Sequence, residues 1–258
     1  MGILNITPDS FYDGDVNYKI DAALATANTY LTEGASIIDI GGYSSRPGAT
    51  DISEQEEMDR VIPIIEALTK QNQDIVISID TFRSNVARSA INAGASIVND
   101  ISGGNGDAAM FDFIKSSNSP YIMMHMHGTP QNMQQNPTYD NLLIDMGMYF
   151  AEKIEELKLA GVCDIIIDPG FGFGKTMEHN YRILQNLQHF HQFDLPILTG
   201  LSRKSMLYKP LNIDAKSALN ATTAAHMIAL QKGSKLLRVH DVKEAMEAIE
   251  IYELVQGS

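Results

Sequence analysis

The sequence predicts a (β/α)8 barrel, built as one domain over residues 1–258. Three observations carry the prediction. Short runs rich in Ile and Val alternate with amphipathic helical stretches about eight times along the chain. The runs are nearly all apolar, as parallel strands covered on both faces are. Eight such units in 258 residues suit a closed barrel better than an open sheet, and no composition shift marks a linker. A doubly wound open sheet is the alternative architecture.

The elements follow in order. Residues 2–6 read as a strand ending near Asn5, and residues 7–18 as a polar, Gly-containing loop. Apolar residues at helical spacing fill 20–32, with Gly34 as the stop signal. Strand 36–40 runs into Gly41-Gly42, and residues 43–52 form a second loop containing Arg46-Pro47-Gly48. Ser53 is placed to cap the next helix, with Glu56 completing a capping box, and that helix runs to about Lys70. The acidic run Glu54-Gln55-Glu56-Glu57 suits a solvated first turn favoured by the helix dipole. Strand 75–79 ends at Asp80, and Ser84 caps a helix that stops at Gly94. Strand 96–98 ends at Asn99-Asp100, helix 107–115 follows, and strand 121–124 ends at His125. A third loop, 126–138, precedes a helix over 139–159. Strand 164–167 delivers Asp168, and Pro169 stops it, since proline has no N–H for the ladder. Gly170, Gly172 and Gly174 then allow close backbone approach to a ligand. Helix 178–191, strand 196–199, helix 216–232, strand 235–239 and a last helix opened by His240-Asp241 complete the series.

Composition limits the function. The formal charge of −13 disfavours a nucleic-acid or anionic-membrane surface, but an anionic small molecule is acceptable where a few basic residues converge. No apolar run approaches the roughly 18 residues that cross a bilayer, and Met1 leads into Gly2-Ile3-Leu4-Asn5 without signal-peptide features. The single cysteine, Cys163, excludes an internal disulfide and suggests a buried, inert thiol in a reducing, cytoplasmic setting.

Asn5, Asp39, Asp80, Asn99, His125, Asp168 and Arg238 all fall at or beside C-terminal strand ends. A strand must end somewhere, and polar residues end it cheaply, so any one of these means little. Seven together would share the rim where barrels of this kind hold their sites. Asp80, Asn99 and Asp168 suit a planar heterocycle rich in N–H donors, because carboxylates only accept while an amide does both. Lys204, Arg238, Arg46 and His240 offer charge to a phosphate-like group.

Six motifs resemble dihydropteroate synthase. They are Gly2-Ile3-Leu4-Asn5-Ile6-Thr7-Pro8-Asp9-Ser10-Phe11, Ile79-Asp80-Thr81-Phe82-Arg83, Asn99-Asp100-Ile101-Ser102-Gly103-Gly104, Asp168-Pro169-Gly170-Phe171-Gly172-Phe173-Gly174-Lys175-Thr176, Gly200-Leu201-Ser202-Arg203-Lys204-Ser205 and Arg238-Val239-His240. They span residues 2–240 in the family's order. The resemblance implies a cytoplasmic, homodimeric, Mg2+-requiring enzyme of folate biosynthesis on a (β/α)8 barrel, and a target of sulfonamides. Its small-molecule substrates are p-aminobenzoate and 6-hydroxymethyl-7,8-dihydropterin diphosphate, and it releases pyrophosphate. By position, Asp80, Asn99, Asp168 and Lys204 would hold the pterin, with Met124 and Phe173 packed beside it. Asn5, Arg46, Arg238 and His240 would hold the diphosphate, Asn5 beside Mg2+. Phe11, Ser45, Arg46, Pro47 and Ser205 would hold p-aminobenzoate. Asp80, Asp168, Lys204 and Arg238 would carry the catalysis.

Two departures stand out. Tyr43-Ser44-Ser45-Arg46 occupies a place where the family commonly reads Glu-Ser-Thr-Arg, which bears on p-aminobenzoate packing and sulfonamide response. The first strand starts at residue 2, which suggests a trimmed chain or one part of a longer folate enzyme. The Gly-rich stretch is not a P-loop, because Pro169 stands where the first glycine would be, and its glycine spacing fails the dinucleotide pattern. His125 and His127 have no nearby partner to complete a metal set and read as loop histidines. A pterin-binding methyltransferase and an inactive pterin-binding module are the rival functions; Arg238-Val239-His240 and Ser202-Arg203-Lys204 favour the synthase because a methyl carrier brings no diphosphate.

Overall fold

The computed structural model describes residues 1–6, 16–44, 50–128, 133 and 137–257, without the side chains of residues 16–19. Phe11, Ser45, Arg46 and Pro47 lie outside the described residues.

Among the described residues, eight parallel strands alternate with helices. Strands β1 (Gly2–Asn5), β2 (Ile38–Gly41), β3 (Ile77–Asp80), β4 (Ile97–Asp100), β5 (Tyr121–Met124) and β6 (Ile165–Asp168) pair in sequence order. Strands β7 (Leu198–Thr199) and β8 (Leu236–Leu237) form a second pair. Single parallel bridges, Ile167 with Ile197 and Gly2 with Val239, join the two sets. The Ile3 N–H donates to Val239 O and the Val239 N–H to Met1 O, both at 2.9 Å, so the last strand meets the first. This is the TIM-barrel arrangement, with its seventh and eighth strands tied to their neighbours more thinly than the rest.

Alternation along each strand separates two apolar regions. Residues facing out pack against the helices: Leu4, Ile38, Ile40, Ile77, Ile79, Val98, Tyr121, Met123, Ile165 and Ile167 belong to one large core. Ile97, Ile122 and Leu198, with Met1, Ile37, Ile166 and Leu236 against them, form a small separate cluster. These are the inward positions of the lower barrel. Two residues further along four of these strands stand Asp39, Asn99, Asp168 and Arg238, so there the barrel interior turns from aliphatic to polar within one step of the pleat.

The outer layer is α1 (Val16–Thr32), α2 (Glu54–Gln71), α3 (Ser84–Asn92), α4 (Met110–Ser117), α5 (Leu142–Leu159), α6 (Met177–Gln185), α7 (Ser205–Tyr208), α8 (Leu219–Gln231) and α9 (Val242–Gln256). A 3-10 helix, Leu187–Phe193, follows α6 where one continuous helix was expected. The first helix starts earlier than its periodicity suggested, and the four-residue α7 has too little periodicity to be read from sequence. Among the described residues, no helix is long and apolar enough to cross a membrane.

Several caps differ from expectation. Ser53 accepts the Glu56 N–H at 3.1 Å, but the Glu56 carboxylate turns to Arg60 at 2.5 Å instead of closing the box. The Thr176 hydroxyl, unforeseen as a cap, forms a reciprocal box with His179. Ser84 is the first residue of α3, not its cap; its N–H is satisfied by Asp107 Oδ2 at 2.8 Å, from the β4–α4 connection. Glu57 is not solvated. It is fully buried and accepts from Arg83 at 2.7 Å, which also donates to Ile52 O at 2.7 Å. Cys163 is exposed, not buried, because it lies in the short turn between α5 and β6.

Candidate active site

The strand register sets the level of each side chain at the barrel mouth. Asn5 pairs with Gly41, Gly41 with Asp80, Asp80 with Asn99, and Met124 with Asp168. The rim residues therefore arrive side by side from strands far apart in sequence. Gly41 makes room: a Cβ there would stand 3.3 Å from the Asp80 Cβ.

Arg238, next after β8, is the central cation. Its Nε donates to Asp39 Oδ2 and one terminal nitrogen to Asp80 Oδ2, each at 2.6 Å. Burial alone would lower its pKa, but Asp39 and Asp80 drive it well above the ordinary value, so the guanidinium is charged at any working pH. One cation serves two carboxylates. Burial accordingly pushes Asp80 above the usual carboxylate range; Arg238 opposes this and the Asp39 charge adds to it. The Asn99 amide nitrogen donates to both Asp39 oxygens, at 3.3 and 3.2 Å.

Asp168 ends β6 and accepts the Gly170 N–H at 2.7 Å. Burial raises its pKa, while Lys204, the Gly170 N–H and Arg238 pull it down. The Lys204 ammonium lies 4.7 Å from the Phe173 ring centroid and donates to Phe171 O. Burial lowers Lys204 to about 8, against the pull of Asp168. Lys204 is carried by the loop after β7, where Arg203 adopts a left-handed φ of 54°. A two-pronged pair with Asp241, both contacts 2.8 Å, holds that conformation and ties the loop to the one after β8. The His240 N–H donates to Ser202 Oγ at 3.2 Å, a second tie between the same loops. Ser205 is exposed at the start of α7.

The Gly-rich loop is held from beneath by a residue to which the motif resemblance assigns no role. Lys175 is buried, and its ammonium donates to Phe173 O at 2.9 Å and His125 O at 3.1 Å, with His125 Nδ1 at 3.0 Å. Three acceptors use its three protons. Burial lowers Lys175 to about 7, with Asp168 opposing, and burial and Lys175 together hold His125 neutral. His125 is thus an interior histidine, not a loop one. Asn180 braces the loop from α6, its Oδ1 accepting the Gly172 N–H at 2.7 Å.

The structure thus brings Asp80, Asn99, Asp168, Lys204 and Arg238 together, with Met124 and Phe173 beside them. Asn5 and His240 lie on the same rim. Two further residues make direct bonds to this set: Asp39, which the sequence places on the rim without a role of its own, and Lys175. Asp39 follows inward Ile37 by two residues, as Asn99 follows Ile97 and Asp168 follows Ile166. Lys175 carried no signal beyond its place in the Gly-rich motif.

Among the described residues, no group of three or more His, Cys, Asp or Glu side chains could hold a metal. Asn5 supplies one neutral oxygen donor, which suits Mg2+ that keeps its waters and binds mainly through a phosphate, and does not suit a protein-caged ion.

Comparison with known proteins identifies the family. The model of the pterin binding enzyme family matches residues 1–240. The dihydropteroate synthase of Escherichia coli K12 is 43% identical over 255 residues, covering 98% of this chain and 90% of its own. The crystal structure of Yersinia pestis dihydropteroate synthase with a sulfonamide drug superposes with a TM-score of 0.93 at 43% identity, covering 100% of this chain and 94% of that one. Xanthomonas albilineans dihydropteroate synthase with 4-aminobenzoic acid gives 0.92 at 37% identity, covering 100% and 92%.

Proposed function

Because this chain belongs to the dihydropteroate synthase family of pterin-binding enzymes, we propose that its barrel mouth joins p-aminobenzoate to 6-hydroxymethyl-7,8-dihydropterin diphosphate, giving 7,8-dihydropteroate and pyrophosphate. The observation that carries this reading is Arg238 shared between Asp39 and Asp80, with Asp168 and Lys204 beside it. Acceptors for a donor-rich ring and cations for a diphosphate stand within one opening.

The pterin sits against Asp80, Asn99, Asp168 and Lys204, between Met124 and Phe173. Its amino and ring N–H donors meet carboxylate and amide oxygens. Arg238 and His240, with Arg46 from outside the described residues, hold the diphosphate. Asn5 contributes an oxygen to Mg2+, which when bound supplies positive charge to the leaving group. The bond between the pterin methylene and the diphosphate oxygen breaks, and its electron pair leaves with pyrophosphate. The methylene carbon gains a bond to the aniline nitrogen, and that nitrogen's surplus proton passes to water. When cleavage runs ahead of attack the ring carries positive charge, which Asp80 and Asp168 stabilise from a dry pocket. The aniline is already a neutral nucleophile, so no general base is assigned.

Ser205, with Phe11, Ser45, Arg46 and Pro47, receives p-aminobenzoate, and sulfonamides compete there. The protein works as a cytoplasmic homodimer. Exposed Ile251, Leu254 and Val255 on α9 and Ile228 on α8 support an apolar subunit face; light scattering on Leu254→Glu should show monomers where the parent shows dimers.

A coupled pyrophosphate assay with and without p-aminobenzoate tests the function. Release that depends on p-aminobenzoate supports it. Release without it, or none with either substrate set, overturns it.

A further inference from the structure

Asp39 touches no open part of the rim, yet it binds two residues that do. It is fully buried, one pleat step below Asp80 and Asn99, since its register partner on β3 is Ser78. Its Oδ2 accepts from Arg238 Nε at 2.6 Å, and both its oxygens lie 3.2–3.3 Å from Asn99 Nδ2.

We propose that Asp39 is a specificity-determining positioning residue, which fixes the Asn99 amide with its oxygen available to the ligand and thereby makes the pterin-reading edge of the pocket all acceptor. The proposal rests on the pterin-binding reading above. Donor and acceptor counts decide which way the Asn99 amide turns. An ionised carboxylate only accepts, and an Asn amide can present either its NH2 or its oxygen. Asp39 Oδ2 accepts from Arg238 and both its oxygens face the Asn99 Nδ2, so the NH2 must face Asp39; the flipped amide would set oxygen against oxygen. The Asn99 Oδ1 is then on the side away from Asp39. Asn99 Oδ1 then adds an acceptor to the carboxylate oxygens of Asp80 and Asp168, which Arg238 and Lys204 draw toward their ionised forms. A 2-amino-4-oxo pteridine brings donors to such an edge. A 2,4-dioxo pteridine replaces its amino donor with an acceptor and leaves buried oxygens facing each other, the kind of mismatch polar sites reject strongly.

The test compares the parent with Asp39→Asn. That change keeps size and removes both the charge and the acceptor-only character, so the paired amides can turn either way. Equilibrium binding is measured for 6-hydroxymethylpterin and for the 2,4-dioxo analogue. The parent should favour the pterin by about 10²-fold or more, and the variant's preference should shrink by about tenfold, as expected when one polar contact no longer discriminates. KM for p-aminobenzoate should stay within about twofold, since Asp39 contacts neither Ser205 nor its loop, while kcat/KM for the pterin diphosphate should fall by about tenfold or more. An unchanged pterin preference overturns the proposal even if turnover drops, because a merely structural role would lower turnover without changing which ring is chosen.

If Asp39→Asn does not fold, the parent protein answers the question alone. In 15N-labelled protein the Asn99 side-chain amide protons should exchange slowly with solvent and keep that protection when 6-hydroxymethylpterin binds. Fast exchange in the free protein, or a shift of those protons onto the ligand, overturns the proposal. The ring-preference and amide-exchange readouts need no pyrophosphate release, so failure of the synthase reading and failure of this one are told apart.

Discussion

At the scale of single residues, the pocket is a set of charges outnumbered on the acidic side. Asp39, Asp80 and Asp168 face Arg238 and Lys204, and the anionic diphosphate would add to the demand on those cations. Asp168 is the residue whose removal should be felt most in chemistry and least in folding, because Asn keeps the Gly170 contact but not the charge. Asp168→Asn should lower turnover by about 10²-fold or more, with a melting temperature near the parent's; near-normal kinetics would remove Asp168 from the mechanism. Lys175 makes a different prediction. Its folded pKa of about 7 lies below the unfolded value of about 10.4. Between those values the unfolded chain binds more protons, so the Lys175 contribution to stability rises with pH across that window and is least favourable below it. Lys175→Met deletes the contribution. The parent's stability advantage over this variant should therefore grow between about pH 7 and pH 10, as followed by urea unfolding, and a constant difference would show that Lys175 stays protonated.

At the scale of elements, the strand pleat and the glycines carry the design. On several barrel strands an aliphatic residue in the lower interior is followed, one pleat step on, by a polar residue nearer the mouth. Ile37 and Asp39, Ile97 and Asn99, Ile166 and Asp168, and Leu236 and Arg238 are successive inward positions. The glycines of the loop after β6 serve contact as well as conformation. Gly170 has φ 68°, and a Cβ there would stand 2.1 Å from His125 O; Gly174 has φ 61° and would meet His127 O at 2.4 Å. The loops after β5 and β6 lie backbone to backbone at these points. Gly170→Ala should cost about 2–4 kcal/mol, from strain and steric overlap together, measured by denaturant unfolding. A cost below the error of that measurement would mean the two loops can separate freely. Arg83, by contrast, joins elements through its side chain, linking Glu57 of α2 to the Ile52 carbonyl.

At the scale of the whole molecule, ring closure is what makes one site out of eight strand ends. The closure between first and last strands is thin: the Gly2–Val239 bridge, the Ile3 and Val239 backbone bonds, and the Met1 ammonium donating to Leu237 O at 3.0 Å. Arg238 stands inside this seam, with Thr199 O accepting its N–H at 3.0 Å. Val239→Pro removes the donor that bonds Met1 O and should cost about 3 kcal/mol. It should also weaken pterin binding, because Arg238 moves with the strand; calorimetry and a melting curve check both. Loss of stability with intact binding would show that Arg238 is held by its carboxylates alone.

Much of this was legible beforehand because it is local. Strand existence follows from runs such as Ile165-Ile166-Ile167, strand ends from Pro169 and the glycines, and the barrel from repetition of short β and α units; the rim follows because every parallel strand ends on the same side. What the sequence could not contain was pairing at a distance. Asp39 meets Arg238 across 199 positions, and Arg238 meets Asp80 across 158; Asp107 caps a helix that starts 23 residues earlier. A side chain's local pattern states that it is polar and faces inward. Only closure of the ring decides which opposite charge, donor or acceptor stands beside it, and so whether it reads a substrate or orients the residue that does.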